Sequence, residues 1–594
     1  MGIPESDILN TTNIPRPEYP RPQLVRADWL NLNGTWEFEM DGGRTGRERN
    51  FPAKSSFSQR ILVPFCPESK LSGIEYKDFM AAVWYRRTFT LPREWEGKQV
   101  FIHFGAVDYE TEVWINGKSV GTHRGGYSSF SFNITHLVHP GENVITVCAE
   151  DDNRSRLQPR GKQSALLYSH GCDYTRTTGI WQTVWLECTN ETYISGLRYF
   201  PDPANACVHV EVGVAGRIQY DEDLQIHVKY KGRAVGQGAA KVGMNSIRIT
   251  IPLSEVHLWD VGKPRLYDVQ LTLSCRGDVR DRVESYFGLR TVSLGEKKIL
   301  INGRPVFQRL VLDQGYYPDG VYTAPTDASL RRDIELAMEL GFNGARLHQK
   351  MFEERYLYWA DQLGYIVWGE HASWGLDIST AVGLERFLPE WLEGIRRDFN
   401  HPSIVGWCPF NETWDSMSAN HARQDDEVLR IVYNVTKAFD CTRPVIDTSG
   451  NFHVMTDIFD IHDYEQDPET FAEKFAPMKD GGAVYNTFPE RQRYEGQPYF
   501  VSEYGGIWWY PEQADDKGWG YGERPRSKEE FLRRYEGLTT ALLENPAICA
   551  FCYTQLYDVE QEVNGLYTYD RRPKFDAEVI RRINTRVAAI EKQP

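Results

Sequence analysis

A helix followed directly by a short apolar strand recurs through the second half of the chain, and this pattern limits the folds the chain can adopt. Residues 328–348 show it: Leu330, Ile334 and Ala337 share one helical face, Gly341 stands where a helix commonly ends, and a strand pattern follows. The same unit recurs at residues 352–371, 388–412, 426–449 and 531–556. We therefore expect a parallel sheet covered by helices.

The number of strands selects one architecture among the parallel α/β folds. The strand candidates are VFQRLVLD, NGARLH, YIVWGEH, IVGWCPFNE, PVIDTS, DIFDIHDY, YFVSEYG and ICAFCYTQL. Eight strand–helix units typically fill about 250 residues of a (β/α)8 barrel. An open doubly wound sheet is the alternative, but no glycine-rich phosphate loop follows any of these strands. The sequence predicts a TIM barrel over residues 295–594.

The first half of the chain shows short strands and turns instead. Runs such as WYRRTFTLP, KQVFIHFGAV and ENVITVCAE are rich in β-branched and aromatic residues, and INGKS reads as a hairpin turn. The pattern continues beyond residue 190 in HVEVGVAG, LQIHVKY and YDVQLTLS. We predict two β-sandwiches, over residues 1–190 and 191–294.

Composition and charge exclude some classes of function. The chain carries 67 Lys and Arg against 83 Asp and Glu, a formal net charge of −16, which argues against a nucleic-acid or anionic-membrane partner. The 10 cysteines show no regular spacing, which suits a reducing compartment. No segment approaches about 18 unbroken apolar residues, and no apolar signal segment is evident near the start. We expect a cytoplasmic protein.

Two glutamates end predicted barrel strands. Glu412 follows IVGWCPFN and Glu503 lies in YFVSEYG, so both belong at the C-terminal mouth, where barrel active sites form. Either glutamate alone could instead cap or pair with the next helix. Together, each beside aromatic residues, they match the needs of glycoside hydrolysis: one carboxyl donates a proton to the leaving oxygen, and the other attacks the anomeric carbon or activates water.

These motifs also carry a family resemblance. The run DFNHPSIVGWCPFNE closely resembles the acid/base signature of glycoside hydrolase family 2, the β-galactosidase/β-glucuronidase family, and FVSEYGG resembles its nucleophile strand. VWINGKSVGTHRGGYSSFSFNIT and TTGIWQTVWLE are similar to its jelly-roll sugar-binding domain, and YFGLRTVSL resembles the junction between sandwich and barrel. The resemblance implies a jelly roll, an immunoglobulin-like sandwich and a catalytic barrel, in that order.

The resemblance also implies a retaining double displacement that removes terminal non-reducing β-linked sugars. Glu412 would be the general acid/base, holding its proton near neutral pH, and Glu503 the nucleophile, kept ionised by hydrogen bonds. Asn411 would hydrogen-bond the sugar 2-hydroxyl. The carboxyl groups should then lie about 5–5.5 Å apart.

Further substrate-binding residues follow from the same resemblance. They are Asp173, contributed by the jelly-roll domain, and Arg346, His348, Tyr464 and Tyr504 at the ends of barrel strands. For each, a structural role is the alternative. Tyr553 or Tyr557 could supply a stacking face. The chemistry requires no cofactor. Some relatives bind a divalent cation near the acid/base, but the adjacent Glu370 and His371 do not make a metal site. Relatives often assemble, so a homo-oligomer is an open alternative.

The sugar is the least determined feature. Family β-glucuronidases carry an Asn-x-Lys pair that grips the substrate carboxylate, and Glu562-Val563-Asn564 stands at those positions here. An acid there should repel a uronate, so a neutral β-galactoside is favoured. Cations elsewhere leave a β-hexuronidase, either a β-galacturonidase or an atypical β-glucuronidase, as the alternative; they are Lys350, Arg571 and Arg572. An endo-acting mannanase-like enzyme and a non-catalytic carbohydrate-binding protein are more remote alternatives.

Overall fold

The computed structural model of the protein describes residues 14–219, 221–416, 423–510 and 518–592. Residues 1–13 lie outside the described residues. The prediction that the chain has no signal segment near its start falls partly on these residues. Among the described helices, none is both long enough and apolar enough to cross a membrane.

The first domain is a jelly-roll β-sandwich of two antiparallel sheets, as predicted. One sheet contains, in spatial order, Trp29–Asn31, Val184–Thr189, Gln99–Phe104 and Phe130–Asn133. The other contains Gln59–Val63, Gly34–Met40, Ala82–Thr90, Glu142–Glu150, Glu110–Ile115 and Lys118–Arg124. A further pair joins Val107–Asp108 to Gly179–Ile180. Short 3-10 helices span Phe51–Ala53, Lys70–Ser72 and Arg93–Trp95. The inward side chains, among them Trp36, Ile102 and Val147, form one apolar core.

The second domain is an immunoglobulin-like sandwich, also as predicted. Its sheets contain Tyr193–Asp202, Cys207–Ala215 and Ser246–Pro252 on one side, and Arg233–Val242, Glu222–Tyr230, Leu266–Cys275 and Asp278–Gly288 on the other. Alternate residues of Glu222–Tyr230, including Leu224, Ile226 and Val228, point into the core, which is the period of a half-buried strand. A small sheet of Val292–Gly295, Lys298–Ile301 and Arg304–Pro305 leads to the barrel.

The third domain is the predicted TIM barrel, and each of the eight predicted segments contains a strand. In chain order the strands are Gln308–Asp313, Gly344–Leu347, Ile366–Glu370, Ile404–Cys408 with Phe410–Asn411, Thr448–Ser449, Phe459–Asp463, Tyr499–Gly505 and Ile548–Thr554. All the pairings are parallel. The helices are Asp327–Glu339, Glu354–Leu363, Ala381–Asp398, Asp426–Phe439, Pro468–Lys479, Lys528–Leu543 and Ala577–Asn584, with a final 3-10 helix Ala589–Lys592.

The fourth and fifth barrel strands are shorter than their sequence patterns suggest. Pro409 interrupts the fourth strand, because proline has no N–H to donate to a ladder. Only Phe410–Asn411 continues it, pairing with Thr448–Ser449 of the fifth strand. This break separates the last residues before Glu412 from the main seven-stranded sheet.

A buried arginine ties the two sandwiches together. Arg26 lies 2.9 Å from the Glu187 carboxylate of the first sandwich and 2.8 Å from the Asp281 carboxylate of the second. Although burial alone would raise the pKa of Glu187, the charges of Arg21 and Arg26 hold it below its usual value. Glu187 is therefore ionised at neutral pH, and its charge depends on these cations.

We expect Arg26→Met to lower the free energy of unfolding by about 3 kcal/mol, because it leaves Asp281 as a buried carboxylate without its cation. Urea denaturation followed by tryptophan fluorescence measures this. The control is Lys98→Met, which removes the partner of Asp28 in a much more exposed ion pair and should cost less than about 1 kcal/mol. Equal losses in the two variants would contradict a special role for Arg26.

Candidate active site

The two glutamates predicted at strand ends meet at the mouth of the barrel. Glu503 lies within the seventh barrel strand and is almost fully buried. Glu412 follows the fourth strand in a left-handed conformation, with φ of 46°, and its backbone N–H donates to the Ser449 carbonyl at 2.9 Å. Their facing carboxylate oxygens lie within 4.8 Å of each other. This is close to the separation of a direct nucleophile and its acid/base partner, and shorter than the 6.5–9.5 Å or so that accommodates a water between them.

Arg346, at the end of the second strand, joins three residues at the base of the site. Its guanidinium donates to Glu370 at 2.6 Å, to Glu503 at 3.0 Å and to the Asn411 side-chain oxygen at 3.0 Å. Burial alone would lower the pKa of Arg346, but the charges of Glu370 and Glu503 raise it well above its usual value. A permanent buried cation thus faces one oxygen of Glu503.

Tyr464 and His348 complete the surroundings of Glu503. The Tyr464 hydroxyl donates to the other Glu503 oxygen, and its ring stacks on Tyr521 at 3.5 Å between centroids. His348 Nδ1 lies 3.1 Å from Glu370, and its Nε2 lies 4.0 Å from Glu503. Burial lowers the pKa of His348, so this imidazole is neutral near pH 7. The structure therefore brings Arg346, His348 and Tyr464 together around Glu503.

His462, which the sequence analysis passed over, lies between the two carboxylates. Its Nδ1 is 2.8 Å from Glu412 Oε1, and its Nε2 is 3.4 Å from Glu503 Oε1. Burial alone would lower the pKa of His462, but the charges of Glu503 and Glu412 outweigh it and raise the pKa above its usual value. One signal could have found it: His462 lies two residues before Tyr464, which directly follows the same strand, and alternate residues of an extended segment share a face.

Asn411 has one polar group available to a ligand. Its side-chain oxygen accepts from Arg346, and its carbonyl accepts from the Trp374 indole N–H at 2.8 Å. Its buried Nδ2 has no hydrogen-bond partner among the described residues. Since an unsatisfied buried donor is costly, this group is suited to donate to a substrate oxygen.

One group of side chains at the site has a spacing that a metal ion could use. Ligand atoms of Glu412, His462 and Glu503 lie within 4.8 Å of one another. Glu370 and His371 diverge instead: Glu370 pairs with Arg346, whereas His371 lies 3.2 Å from Glu390 on the other side of the strand. The adjacent pair therefore does not form a joint metal site.

Sequence models of one family match the chain domain by domain. "Glycosyl hydrolases family 2, sugar binding domain" matches residues 69–189, "Glycosyl hydrolases family 2" matches 192–290, and "Glycosyl hydrolases family 2, TIM barrel domain" matches 292–508. The chain belongs to glycoside hydrolase family 2. The family resemblance found in the sequence is thereby confirmed.

Relatives of this family 2 protein carry two activities in their names. A β-galactosidase of Thermoanaerobacter pseudethanolicus is 26% identical over 517 residues, covering 82% of this chain and 61% of the relative. A β-glucuronidase of Canis lupus familiaris is 28% identical over 476 residues, covering 72% of this chain and 69% of the relative. The chain thus spans less than two thirds of the β-galactosidase and slightly more than two thirds of the β-glucuronidase.

Solved structures show the same architecture. A β-glucuronidase from an uncultured Clostridium species superposes with a TM-score of 0.77 at 22% identity, covering 95% of this chain and 99% of that one. A Ruminococcus gnavus β-glucuronidase in complex with D-glucuronic acid gives a TM-score of 0.77 at 18% identity, with 96% and 100% coverage. At these identities the likeness shows the three-domain fold alone.

Tyr504, predicted to bind substrate, does not reach the pocket of this family 2 protein. Its buried hydroxyl lies 2.9 Å from Thr539 on the helix outside the barrel, because neighbours on a strand point to opposite faces and Glu503 points inward. The Tyr553 ring packs against Tyr504 and Tyr535. The Tyr557 hydroxyl donates to Asp313, and the Arg571 guanidinium lies over the Tyr557 ring. The contacts of these tyrosines are therefore structural.

Asp173 lies in the long connection between strands Glu142–Glu150 and Gly179–Ile180, which reaches the barrel from the jelly roll. One carboxylate oxygen accepts from Arg160 at 3.1 Å, and the other is buried with no hydrogen-bond partner among the described residues. The same connection brings Lys162 over the Trp374 ring, 4.1 Å from its centroid. Lys162 and Trp374 had no local sequence signal, because they belong to different domains.

The residues at the Asn-x-Lys positions are buried beside this connection. Glu562 accepts from the Tyr174 hydroxyl at 2.6 Å and from Asn564 at 3.0 Å. The three cations suggested as alternative binding groups for a substrate carboxylate contact other protein groups instead. Lys350 donates to the Gly315 and Tyr322 carbonyls, Arg571 pairs with Asp333, and Arg572 pairs with Asp570. None of these three cations is arranged to serve a uronate.

We expect His462→Asn to alter the alkaline limb of the pH profile of kcat/KM. Because the charges of Glu503 and Glu412 raise the pKa of His462 above its usual value, the wild-type imidazolium persists to higher pH than an ordinary histidine, and the variant has no proton to lose there. The control is His209→Asn on the second sandwich, where the histidine is largely exposed and the profile should not move. An unmoved profile for His462→Asn would mean that His462 is neutral in the working enzyme.

Proposed function

We propose that the protein is a retaining exo-β-glycosidase that hydrolyses terminal β-linked sugars by double displacement. The observation that carries the proposal is the approach of the Glu412 and Glu503 oxygens within 4.8 Å at the mouth of a family 2 barrel. This spacing leaves no room for the attacking water of an inverting enzyme. A non-catalytic sugar-binding protein would have no need for both carboxylates.

In the first step, the ionised Glu503 attacks the anomeric carbon while Glu412 donates its proton to the glycosidic oxygen. The C–O bond to the leaving group breaks, and a covalent glycosyl-enzyme forms. Arg346 and Tyr464 each hold one oxygen of Glu503, which fixes the carboxylate in the plane of attack. The Asn411 side-chain N–H is available for a sugar hydroxyl next to the reacting carbon.

In the second step, Glu412 takes a proton from a water molecule that attacks the anomeric carbon from the side vacated by the leaving group. The bond to Glu503 breaks and the sugar leaves with retained configuration. His462 contacts both carboxylates, so it lies next to each group whose charge changes during the two steps. The two steps balance with water as the only co-reactant, so the proposal requires no cofactor.

We expect different kinetic defects in Glu503→Gln and Glu412→Gln. The first variant loses its nucleophile and should release no p-nitrophenol. The second should show kcat lower by about 10²–10⁴-fold, with a burst and rescue by azide, because the good leaving group needs no proton but water needs a base. Glu427→Gln on an exposed helix is the control. Normal activity in Glu503→Gln would contradict the assigned nucleophile.

As substrate we propose β-hexuronides, with β-glucuronides first. The support comes from the relatives, most of which are β-glucuronidases, including those of Canis lupus familiaris, Felis catus and Paenibacillus borealis. These comparisons favour the hexuronidase alternative over the β-galactosidase preferred from the sequence. The altered Asn-x-Lys positions would then require another residue to contact the carboxylate.

A neutral β-galactoside is the second candidate, and one observation favours it. Glu562 places a carboxyl group beside Tyr174 at the position where β-glucuronidases have an asparagine, and a β-galactosidase is among the relatives. Burial raises the pKa of Glu562 despite the opposing charge of Lys162. A carboxyl group that is more easily protonated repels a uronate less, so Glu562 alone does not decide the sugar.

A panel of p-nitrophenyl β-glycosides at neutral pH separates the two candidates. The panel contains the glucuronide, galacturonide, galactoside, glucoside, mannoside and arabinoside, tested with the wild type and Glu503→Gln. We expect the largest kcat/KM for a uronide, abolished in Glu503→Gln. A preference for the galactoside would support the second candidate, and no release from any member would contradict the exo-glycosidase proposal.

A further inference from the structure

The long connection from the jelly roll is built into the mouth of the barrel. The Arg160 N–H donates to the Trp374 carbonyl at 2.8 Å, and the Gly161 N–H donates to the Ala372 carbonyl at 3.3 Å. Gly161 has φ of 57°, and a Cβ there would lie only 2.3 Å from the Gln349 carbonyl oxygen. The close approach therefore requires glycine, and it fixes the position of the next residue, Lys162.

Lys162 is a buried cation whose N–H groups have no acceptor among the described residues. Its side chain is only 7% exposed, and its ammonium lies over the indole of Trp374. The same indole donates to the Asn411 carbonyl, which places the ammonium next to the residue before the acid/base. An ammonium in a largely buried residue that has no hydrogen-bond acceptor among the described residues is suited to a ligand that brings oxygens.

The charges around Lys162 keep it protonated. Burial alone would lower the pKa of Lys162, but Cys172, Glu562, Glu412 and Glu503 outweigh this and raise it above its usual value. The hydrogen-bonding capacity of Glu562 is already used by Tyr174 and Asn564. Lys162 therefore retains donors for an incoming anion.

Other cations near the mouth are occupied. Arg346 uses its guanidinium on Glu370, Glu503 and Asn411, and Lys574 donates to Asp558 and to the Trp509 carbonyl. Together with the engaged Lys350, Arg571 and Arg572, this leaves Lys162 as the lysine or arginine with open donors that we identify at the described part of the mouth.

We propose that Lys162, supplied by the sugar-binding domain, binds the carboxylate of a hexuronide and takes over the role of the missing lysine at the Asn-x-Lys positions. The proposal rests on the proposed hexuronidase function. The carboxylate would complete the solvation of the ammonium through charge-assisted hydrogen bonds. Specificity would then depend on the docking of one domain against another, since Gly161 and Trp374 position the lysine.

The test compares matched sugars that differ only at C6. We expect Lys162→Met to lower kcat/KM for p-nitrophenyl β-D-glucuronide by about 30-fold or more, mainly through KM, because one charge-assisted contact is lost. The value for p-nitrophenyl β-D-glucoside should change by less than about 3-fold. Lys162→Arg should restore part of the uronide activity, and Lys98→Met is the control for removal of a lysine elsewhere.

A binding measurement makes the test independent of turnover. D-Glucaro-1,5-lactone should raise the unfolding temperature of the wild type but not that of Lys162→Met, while D-glucono-1,5-lactone should raise that of both proteins equally.

Equal losses of kcat/KM for the glucuronide and the glucoside in Lys162→Met would overturn the proposal and indicate that Lys162 only balances the active-site charges. A wild type that prefers the galactoside and depends on Lys162 for it would overturn the carboxylate assignment but leave the glycosidase intact. Failure of both lactones to bind the wild type would overturn the hexuronide proposal itself.

Discussion

The site is organised by one buried guanidinium, that of Arg346. It joins residues from four barrel strands, because it extends from the second strand to Glu370 on the third, Asn411 on the fourth and Glu503 on the seventh. A buried charge must be paired, and Arg346 is paired on each side. The cation that pairs with Glu503 is thus also the contact that sets the distance between Glu503 and Asn411.

The position of Glu412 depends on an irregular backbone. Pro409 interrupts the fourth strand, and Glu412 turns into the left-handed region directly after the short pairing of Asn411 with Ser449. His462 then connects Glu412 to Glu503. Arg346 therefore holds Glu503 at the base of the site, and His462 contacts both carboxylates.

The jelly roll contributes to the active site as well as to the architecture. Its long connection reaches the barrel mouth through Arg160 and Gly161, and it carries Lys162, Asp173 and Tyr174 to positions near Asn411 and Glu562. In the proposal made above, Lys162 lets a family 2 chain without the lysine of the Asn-x-Lys pair present a cation to its substrate. Specificity would then depend on residues of two domains.

The sequence by itself determined the three-domain order, the eight strand segments of the barrel and the two glutamates, because hydrophobic period and strand-end position are local properties of the chain. The family resemblance added Arg346, His348, Asn411 and Tyr464, which the structure brings together around Glu503. Tertiary structure alone decided which side of its strand Tyr504 faces and that His462 bridges the carboxylates. It alone brought Lys162 to Trp374 across more than 200 residues. Such contacts depend on how whole domains pack, and no local pattern in the chain records that packing.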